Sequence, residues 1–223
     1  MTLFGEAMEM MGETPLVTAS RATAVYREIK RRITDLQYKP GDKLSEAKLA
    51  AELGLGRSPV RTALSRLQSE GWIEISPQSG TFVRGLSEQE VGEILETRLV
   101  LEAYLAGLAA TRIEEAELAK LGRAFDEFGE SVSHDRLDEY LDLDLQFHLA
   151  VYKAAGNRLI ANILVNLIDK VRWIRRASSG SPMRIQDALG EIRAVYQALC
   201  ARDQAAASAA MRRHIANTIE FRR

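Results

Sequence analysis

Cysteine is almost absent from this 223-residue chain, and long apolar runs are missing altogether. The single cysteine, Cys200, excludes an internal disulfide framework and fits a reducing compartment. No run of about eighteen apolar residues occurs, which excludes a transmembrane helix of ordinary length. No basic residue precedes Arg21, and no apolar segment of the kind found in secretory signal peptides occurs there. We therefore expect a cytoplasmic protein with no membrane partner.

Net charge is also small, at −1, but the charges are distributed unevenly. Residues 1–19 carry three acidic side chains and no basic one, and their pattern predicts a poorly ordered leader. Residues 20–85 carry 12 basic and 7 acidic side chains, whereas residues 86–223 carry 18 basic and 21 acidic ones. A basic segment beside a mildly acidic one predicts a domain for a polyanion joined to a domain with another role.

The first of these domains has the pattern of three helices followed by a hairpin. Apolar residues recur every fourth position at the start, which predicts a helix over about 22–37. Ser45 is suited to cap a second, short helix, and Ser58, with Pro59 as the first helical residue, is suited to cap a third. Alternating residues within 72–83, interrupted by a polar loop, predict two strands.

The beginning of the third predicted helix carries the residues that would meet DNA. In a helix-turn-helix the second helix of the motif enters the major groove by its N-terminal end. Arg57 and Arg61 lie there, and arginine suits bidentate contacts with guanine. Ser58 and the free N–H groups of the first turn suit a phosphate. A single exposed arginine is ordinarily just solvated, but the helix order, the hairpin and the local charge together favour DNA.

From Ser87 onward the sequence predicts six consecutive helices with short connections, which is typical of an antiparallel bundle. The predicted fold is therefore mainly α, with an N-terminal winged helix-turn-helix of three helices and a two-stranded wing, followed by an all-α antiparallel helical bundle. The predicted bundle helices cover residues 88–112, 114–132, 137–155, 159–176, 185–201 and 205–221.

Within the bundle, an acidic and an imidazole side chain have the spacing of metal ligands. Asp144 and His148 are four residues apart, so both project from one face of a helix and can share a divalent metal. His214, on the last helix, is positioned to add a third ligand. An Asp/His pair on a helix is also commonly a simple hydrogen-bonded pair, and the residues alone leave both interpretations open.

Arg98 is a second polar candidate, because it lies on an otherwise apolar predicted helix. A buried arginine requires an anion. A small carboxylate effector held by the guanidinium fork is one such anion. Glu102, four residues further along the helix, is another. Asn166 is the second residue that we select for effector binding.

Residues 22–85 resemble the winged helix of the GntR family of bacterial transcription regulators. The resemblance implies a dimer on a short palindromic operator, with Arg57, Ser58 and Arg61 in contact with DNA and Gly80 at the tip of the wing. The similar stretches are residues 44–50, 53–64, 71–73 and 79–83.

One DNA contact implied by this resemblance departs from the family pattern. Many members have an arginine in the helix that follows the Pro-Gly turn. This chain has Ala47 or Lys48 there, depending on the alignment, so Lys48 is the candidate contact.

Residues 88–221 resemble the effector domain of the FadR-like branch, the FCD type. Members that bind metal carry one Asp and three His ligands, of which three map onto Asp144, His148 and His214. The fourth falls at Ile192, which cannot coordinate a metal. The resemblance therefore implies a weak site for zinc, nickel or manganese. The similar stretches are residues 96–102, 144–148, 155–157 and 191–214.

These features together predict a ligand-responsive regulator that binds double-stranded DNA as a homodimer. We expect a repressor that a small organic acid releases from DNA. One alternative is a metal-dependent enzyme, a hydrolase or lyase that uses Asp144, His148 and His214. Another is an architectural DNA-binding protein with no effector. Polar residues among the apolar ones of the bundle favour the regulator.

Overall fold

A computed structural model describes residues 21–132, 136–178 and 182–220 and confirms that the chain is mainly helical. The predicted leader, residues 1–19, lies outside the described residues. The described chain forms two compact units. Residues 21–88 with Arg172–Ala177 make up the first unit, and Gln89–Val171 with the described residues from Ser178 onward make up the second.

The first unit contains the three predicted helices and a small sheet. Helix α1 packs against α3, and α2 packs against α3 as well. Its elements are α1 (Arg21–Thr34), β1 (Lys43–Leu44), α2 (Glu46–Glu52), α3 (Arg57–Ser69), β2 (Ile73–Ser76) and β3 (Gly80–Val83). The buried apolar residues of these helices and of β2 include Val25, Ile29, Ile33, Leu49, Val60, Leu64, Leu67 and Ile73.

The sheet has three antiparallel strands in the order β1-β3-β2, one strand more than the hairpin that the sequence predicts. Strand β1 is a single pair of residues, Lys43 and Leu44, opposite Phe82 and Thr81 of β3. Two residues are too few to show an alternating pattern, which is why the sequence did not reveal this strand. The hairpin of β2 and β3, which forms the wing, is confirmed.

The ends of the helices follow the expected chemistry in most places. Ser45 caps α2, because its side-chain oxygen accepts a hydrogen bond from the backbone N–H of Lys48 at 3.3 Å. Gly54 and Gly71 follow α2 and α3 with φ of +63° and +78°, a conformation that favours glycine.

The prediction that Ser58 caps α3 is wrong. Gly56 is the cap residue, with an extended backbone, and Arg57 is already helical. Pro59 is then the third helical residue rather than the first. A proline is tolerated there because the N–H groups of the first helical turn have no partner within the helix.

The described residues of the second unit form six helices, the number that the sequence predicts. Helix α5 ends at Phe128, earlier than expected, because Gly129 takes a φ of +86°. None of the described helices is both long enough and apolar enough to cross a membrane. The helices are α4 (Glu88–Arg112), α5 (Glu115–Phe128), α6 (Leu137–Ala155), α7 (Arg158–Ser178), α8 (Pro182–Cys200) and α9 (Gln204–Glu220).

A continuous apolar core holds the bundle together. Helices α8 and α9 form its most extensive helix pair, and α6 packs against both α5 and α8. The large residues that are almost fully buried include Leu105, Phe125, Phe147, Leu189, Ile192 and Leu199. Against this background, a small number of charged and polar side chains are also buried, and they define the site described next.

Candidate functional site

The exposed beginning of α3 is the first candidate site. Arg57, Ser58 and Arg61 are all exposed there, within the first two turns of the helix. Gly56 has no side chain with which to cap the helix. The N-terminal end of α3 therefore presents backbone N–H groups together with two guanidinium groups, an arrangement suited to a polyanion.

Arg61 is held by an acidic residue of the neighbouring helix. Its Nε and Nη2 atoms each lie 3.0 Å from an oxygen of Glu46, the first residue of α2. Lys48, the other candidate on α2, is exposed, and its Nζ lies 3.9 Å from a carboxylate oxygen of Glu52.

The wing requires glycine at its tip. Gly80 has a φ of +122°, which L side chains rarely adopt. A Cβ atom at this position would also lie 2.7 Å from Cε of Lys43. Gly80 thus allows the hairpin to turn tightly while Lys43 passes beside it, which keeps a positive charge at the tip of the wing.

The second candidate site is a buried cluster that brings together Asp144, His148 and His214. These three residues are at most 3% exposed, and each offers one ligand atom within 4.8 Å of the others. Nε2 of His148 lies 3.7 Å from Oδ1 of Asp144, and Nε2 of His214 lies 3.8 Å from the same oxygen. The structure therefore places the three predicted ligands side by side, on α6 and α9.

The Nδ1 atom of each imidazole lies beside the carboxylate of a glutamate, with a different glutamate for each histidine. Nδ1 of His148 lies 2.7 Å from Oε2 of Glu102, and Nδ1 of His214 lies 2.8 Å from Oε2 of Glu191. A carboxylate at Nδ1 favours the tautomer that carries its proton there and leaves the Nε2 lone pair available for a metal. Both histidines are consequently oriented with Nε2 towards Asp144.

Each glutamate is in turn paired with an arginine. Nε of Arg98 lies 2.5 Å from Oε1 of Glu102, and both residues are almost fully buried. Arg184 makes two hydrogen bonds of 3.0 Å to the two oxygens of Glu191. Of the two anions that the sequence suggested for Arg98, the structure shows the internal one, Glu102.

These pairs set the charges of the glutamates. Burial alone would raise the pKa of the Glu102 carboxyl, but Arg98 and His148 outweigh burial and hold this pKa well below its ordinary value. Burial also raises the pKa of the Glu191 carboxyl, but contacts with neighbouring groups outweigh it and lower this pKa to about 2. The hydrogen bond with His214 is the largest of these contacts. Both glutamates are therefore anionic at neutral pH.

The donor set of the cluster fits a divalent transition metal. One carboxylate and two imidazole nitrogens are ligands that zinc, nickel and manganese accept, and carboxylates at Nδ1 are the usual outer partners of metal-binding histidines. Asp144, His148 and His214 would hold the ion, with Glu102 and Glu191 behind the two imidazoles.

Other candidates fall outside this arrangement. Asn166 is exposed on α7, so its position gives no support for a role beside a buried cluster. Ile192 is fully buried in the apolar core, next to Glu191. The sequence reasoning treated Glu102 only as a partner for Arg98 and gave Glu191 no role. For Glu102 the available signal was a charged residue followed by the apolar second half of α4. Glu191 shares α8 with Arg184, Asp187 and Arg193, so the sequence did not single it out.

Comparison with known proteins identifies two families along the chain. Residues 21–83 match the family described as bacterial regulatory proteins, gntR family, and residues 93–217 match the FCD domain. The chain belongs to the GntR family. This GntR-family regulator binds DNA through its winged helix and carries a C-terminal FCD domain.

Similarity to named relatives extends over most of the length of this GntR-family regulator. It is 32% identical to the transcriptional repressor GlaR of Escherichia coli, over 87% of its own length and 92% of that protein. It is 31% identical to the transcriptional regulator LutR of Bacillus subtilis, over 81% and 91%. The solved structure of E. coli McbR/YncC shares the fold, with a TM-score of 0.70 at 21% identity over 91% and 97%. GlaR and LutR are named as transcription regulators, and the enzyme alternative has no support from them.

Proposed function

We propose that this regulator is a cytoplasmic homodimer that represses transcription and releases a palindromic operator when a small organic acid binds. Residues 20–85 serve as the DNA-binding domain, and residues 86–223 bind the effector and form the dimer. The name of GlaR as a repressor supports the sign of regulation. The observation that carries the ligand response is the buried Asp144, His148 and His214 cluster within the FCD domain.

Five residues make the proposed contacts with DNA. Arg57 and Arg61 reach base edges in the major groove, since both are exposed where α3 begins. Ser58 and the first-turn N–H groups bind a phosphate. Lys48 adds a backbone contact from α2, and Gly80 lets the wing approach the duplex closely.

The proposed effector site centres on the three metal ligands. A divalent cation held by Asp144, His148 and His214 would supply positive charge and unfilled coordination positions that attract a carboxylate. The site has only three protein ligands, so we expect zinc, nickel or manganese to bind weakly. Arg98 already has Glu102 as its anion, and we therefore place the effector carboxylate at the cluster rather than in the guanidinium fork.

Elemental analysis with native mass spectrometry tests this site on the purified protein. We expect zinc, nickel or manganese at less than one ion per chain, restored towards one ion per chain by adding zinc. Asp144→Asn should abolish the restored occupancy. Asp142→Asn is the matched control, because Asp142 is exposed two residues earlier on α6. Equal occupancy in the two variants would refute the assignment of the ligands.

The same preparations report on the effector. In a thermal-shift assay with acetate, lactate, citrate and gluconate, we expect at least one acid to stabilise the zinc-loaded wild type and the Asp142→Asn control. That stabilisation should be absent in Asp144→Asn. An acid that stabilises all three proteins equally would place the effector site elsewhere.

A further inference from the structure

The contact between Glu46 and Arg61 joins the two helices of the helix-turn-helix. Glu46 begins α2, and Arg61 lies one turn inside α3. The two carboxylate oxygens lie 3.0 Å from Nε and 3.0 Å from Nη2 of the guanidinium. This is a side-on, bidentate ion pair between residues that are 15 positions apart in the sequence.

Stability of the fold does not explain this pair. The side chain of Arg61 is 72% exposed and that of Glu46 is 27% exposed. Exposed ion pairs contribute little to the free energy of unfolding, because solvent screens the charges and ordering two long side chains costs entropy. What the pair does accomplish is to fix the direction of the guanidinium at the surface of α3.

The charge of Glu46 also acts on the other arginine of this surface. The hydrogen bond from Arg61, with a further contribution from the charge of Arg57, lowers the pKa of the Glu46 carboxyl. Glu46 is therefore an anion that lies within the field of both arginines at the beginning of α3.

The geometry of the pair determines which donors of Arg61 remain for DNA. A guanidinium has five N–H donors, one on Nε and two on each Nη atom. Glu46 accepts one from Nε and one from Nη2. Three N–H donors remain, and two of them, one on Nη1 and one on Nη2, form the outer end of the guanidinium. This end has the spacing of the O6 and N7 acceptors of guanine in the major groove.

We propose that Glu46 is a positioning residue that determines the specificity of Arg61 for guanine. The inference rests on the proposed contact of Arg61 with a base edge. Because Glu46 occupies Nε and one hydrogen of Nη2, Arg61 recognises guanine only through the outer end of its guanidinium. The negative charge of Glu46 also repels the phosphate backbone. Removing that charge therefore has two opposite effects: discrimination between bases falls, while binding to unrelated DNA rises.

The test is a selection from duplexes with about 20 random central base pairs, long enough for two half-sites one helical turn apart. Four full-length proteins are compared: the wild type, Arg61→Ala, Glu46→Gln and the control Glu52→Gln. Glu52 lies on the same helix and pairs with Arg32 and Lys48, so its substitution removes the same charge without touching Arg61. The bound duplexes are sequenced, and affinities are then measured on the wild-type consensus duplex and on a scrambled duplex of equal composition.

We expect Arg61→Ala to lose a guanine preference at one position of each half-site. Glu46→Gln should weaken the preference at that same position by about fivefold or more. Its affinity for the scrambled duplex should rise by about twofold, since a repelling charge is gone. Glu52→Gln should keep the guanine preference.

Failure of the two proposals gives different results. If Arg61→Ala retains every base preference, the proposed contact of Arg61 is wrong, and the role of Glu46 falls with it. If Arg61→Ala loses the guanine while Glu46→Gln retains it as Glu52→Gln does, Arg61 reads DNA but Glu46 does not position it. Circular dichroism checks that both glutamine variants remain folded.

Discussion

The pairing of Arg98 with Glu102 changes what a substitution at Arg98 is expected to do. The sequence left two anions open for Arg98, an effector carboxylate and Glu102, and only the first would let Arg98 be removed without harm to the bundle. In the structure both side chains are at most 3% exposed, so removing one leaves the charge of the other buried. Breaking a buried ion pair from one side typically costs about 3–5 kcal/mol.

We therefore predict that Arg98→Met destabilises the metal-free protein by about 3–5 kcal/mol, measured by urea unfolding. Combining it with Glu102→Gln should recover part of that loss, since no buried charge is then left without its opposite. Strictly additive costs of the two substitutions would show that the side chains do not form this pair in solution.

Ile192 tests the other residue-level claim, that a missing ligand weakens the metal site. It is fully buried on α8, beside the glutamate that orients His214. We predict that Ile192→His raises zinc affinity by about tenfold or more, which corresponds to about 1.4 kcal/mol. Isothermal titration of metal-stripped protein with zinc measures this change.

Two further variants make the Ile192 experiment decisive. His148→Ala in the Ile192→His background should remove the gain, because both imidazoles would share one ion. Ile192→Val repacks the same position without a ligand and should leave zinc affinity unchanged. Equal affinity of the wild type and Ile192→His would mean that α8 does not bring this position to the cluster.

At the level of helices and strands, glycine has opposite effects in two positions. Gly54 ends α2 with a φ of +63°, whereas Gly92 lies inside α4 with open space around a would-be Cβ. Gly54→Ala should destabilise the protein by about 1 kcal/mol, since L residues avoid the left-handed region. Gly92→Ala should stabilise it by about 0.5–1 kcal/mol. Urea unfolding that shows the same sign for both substitutions would contradict these assignments.

Helix α3 carries a prediction about DNA affinity. Arg57→Ala and Arg61→Ala should each cost about 1–3 kcal/mol on a selected duplex, as lost base contacts do. Lys48→Ala should weaken selected and scrambled duplexes alike and reduce the salt dependence, as expected for a phosphate contact. Fluorescence anisotropy at several salt concentrations measures both effects. If Lys48→Ala changes the base preference, Lys48 contacts a base edge and the phosphate assignment is wrong.

Local sequence patterns predicted most of these elements for identifiable reasons. The helices of the bundle were recognised because apolar residues repeat with helical spacing, and α2 because Ser45 and Gly54 mark its two ends. Two of the boundary errors arose where a glycine competes with the pattern. Gly56 rather than Ser58 caps α3, and Gly129 ends α5 before Val132.

The site was predictable only in part, because some of its contacts lie within one helix and others join residues of different helices. Asp144 and His148 share a helix face, which spacing alone reveals. The partner of His214 is Glu191 on another helix, and the partner of Arg61 is Glu46 on another helix. Such pairs depend on how helices pack, and a single sequence contains no periodic signal for them.

For the whole molecule, regulation requires that the buried cluster and the DNA-binding face influence each other. Thermodynamic linkage makes this influence reciprocal: an acid that lowers affinity for DNA by some factor must itself bind more weakly, by the same factor, when DNA is bound. Couplings of this kind commonly amount to about 5–150-fold. This requirement separates a ligand-responsive regulator from an architectural DNA-binding protein.

The most direct test is the affinity of the zinc-loaded protein for its selected duplex, with and without an acid identified by thermal shift. We predict that saturating acid lowers duplex affinity by about fivefold or more, and that titration calorimetry finds the acid weakened by the same factor on the duplex. His148→Ala should bind the duplex with an affinity that the acid no longer changes. An acid whose binding requires His148 but leaves the duplex affinity of the wild type unchanged would contradict the account.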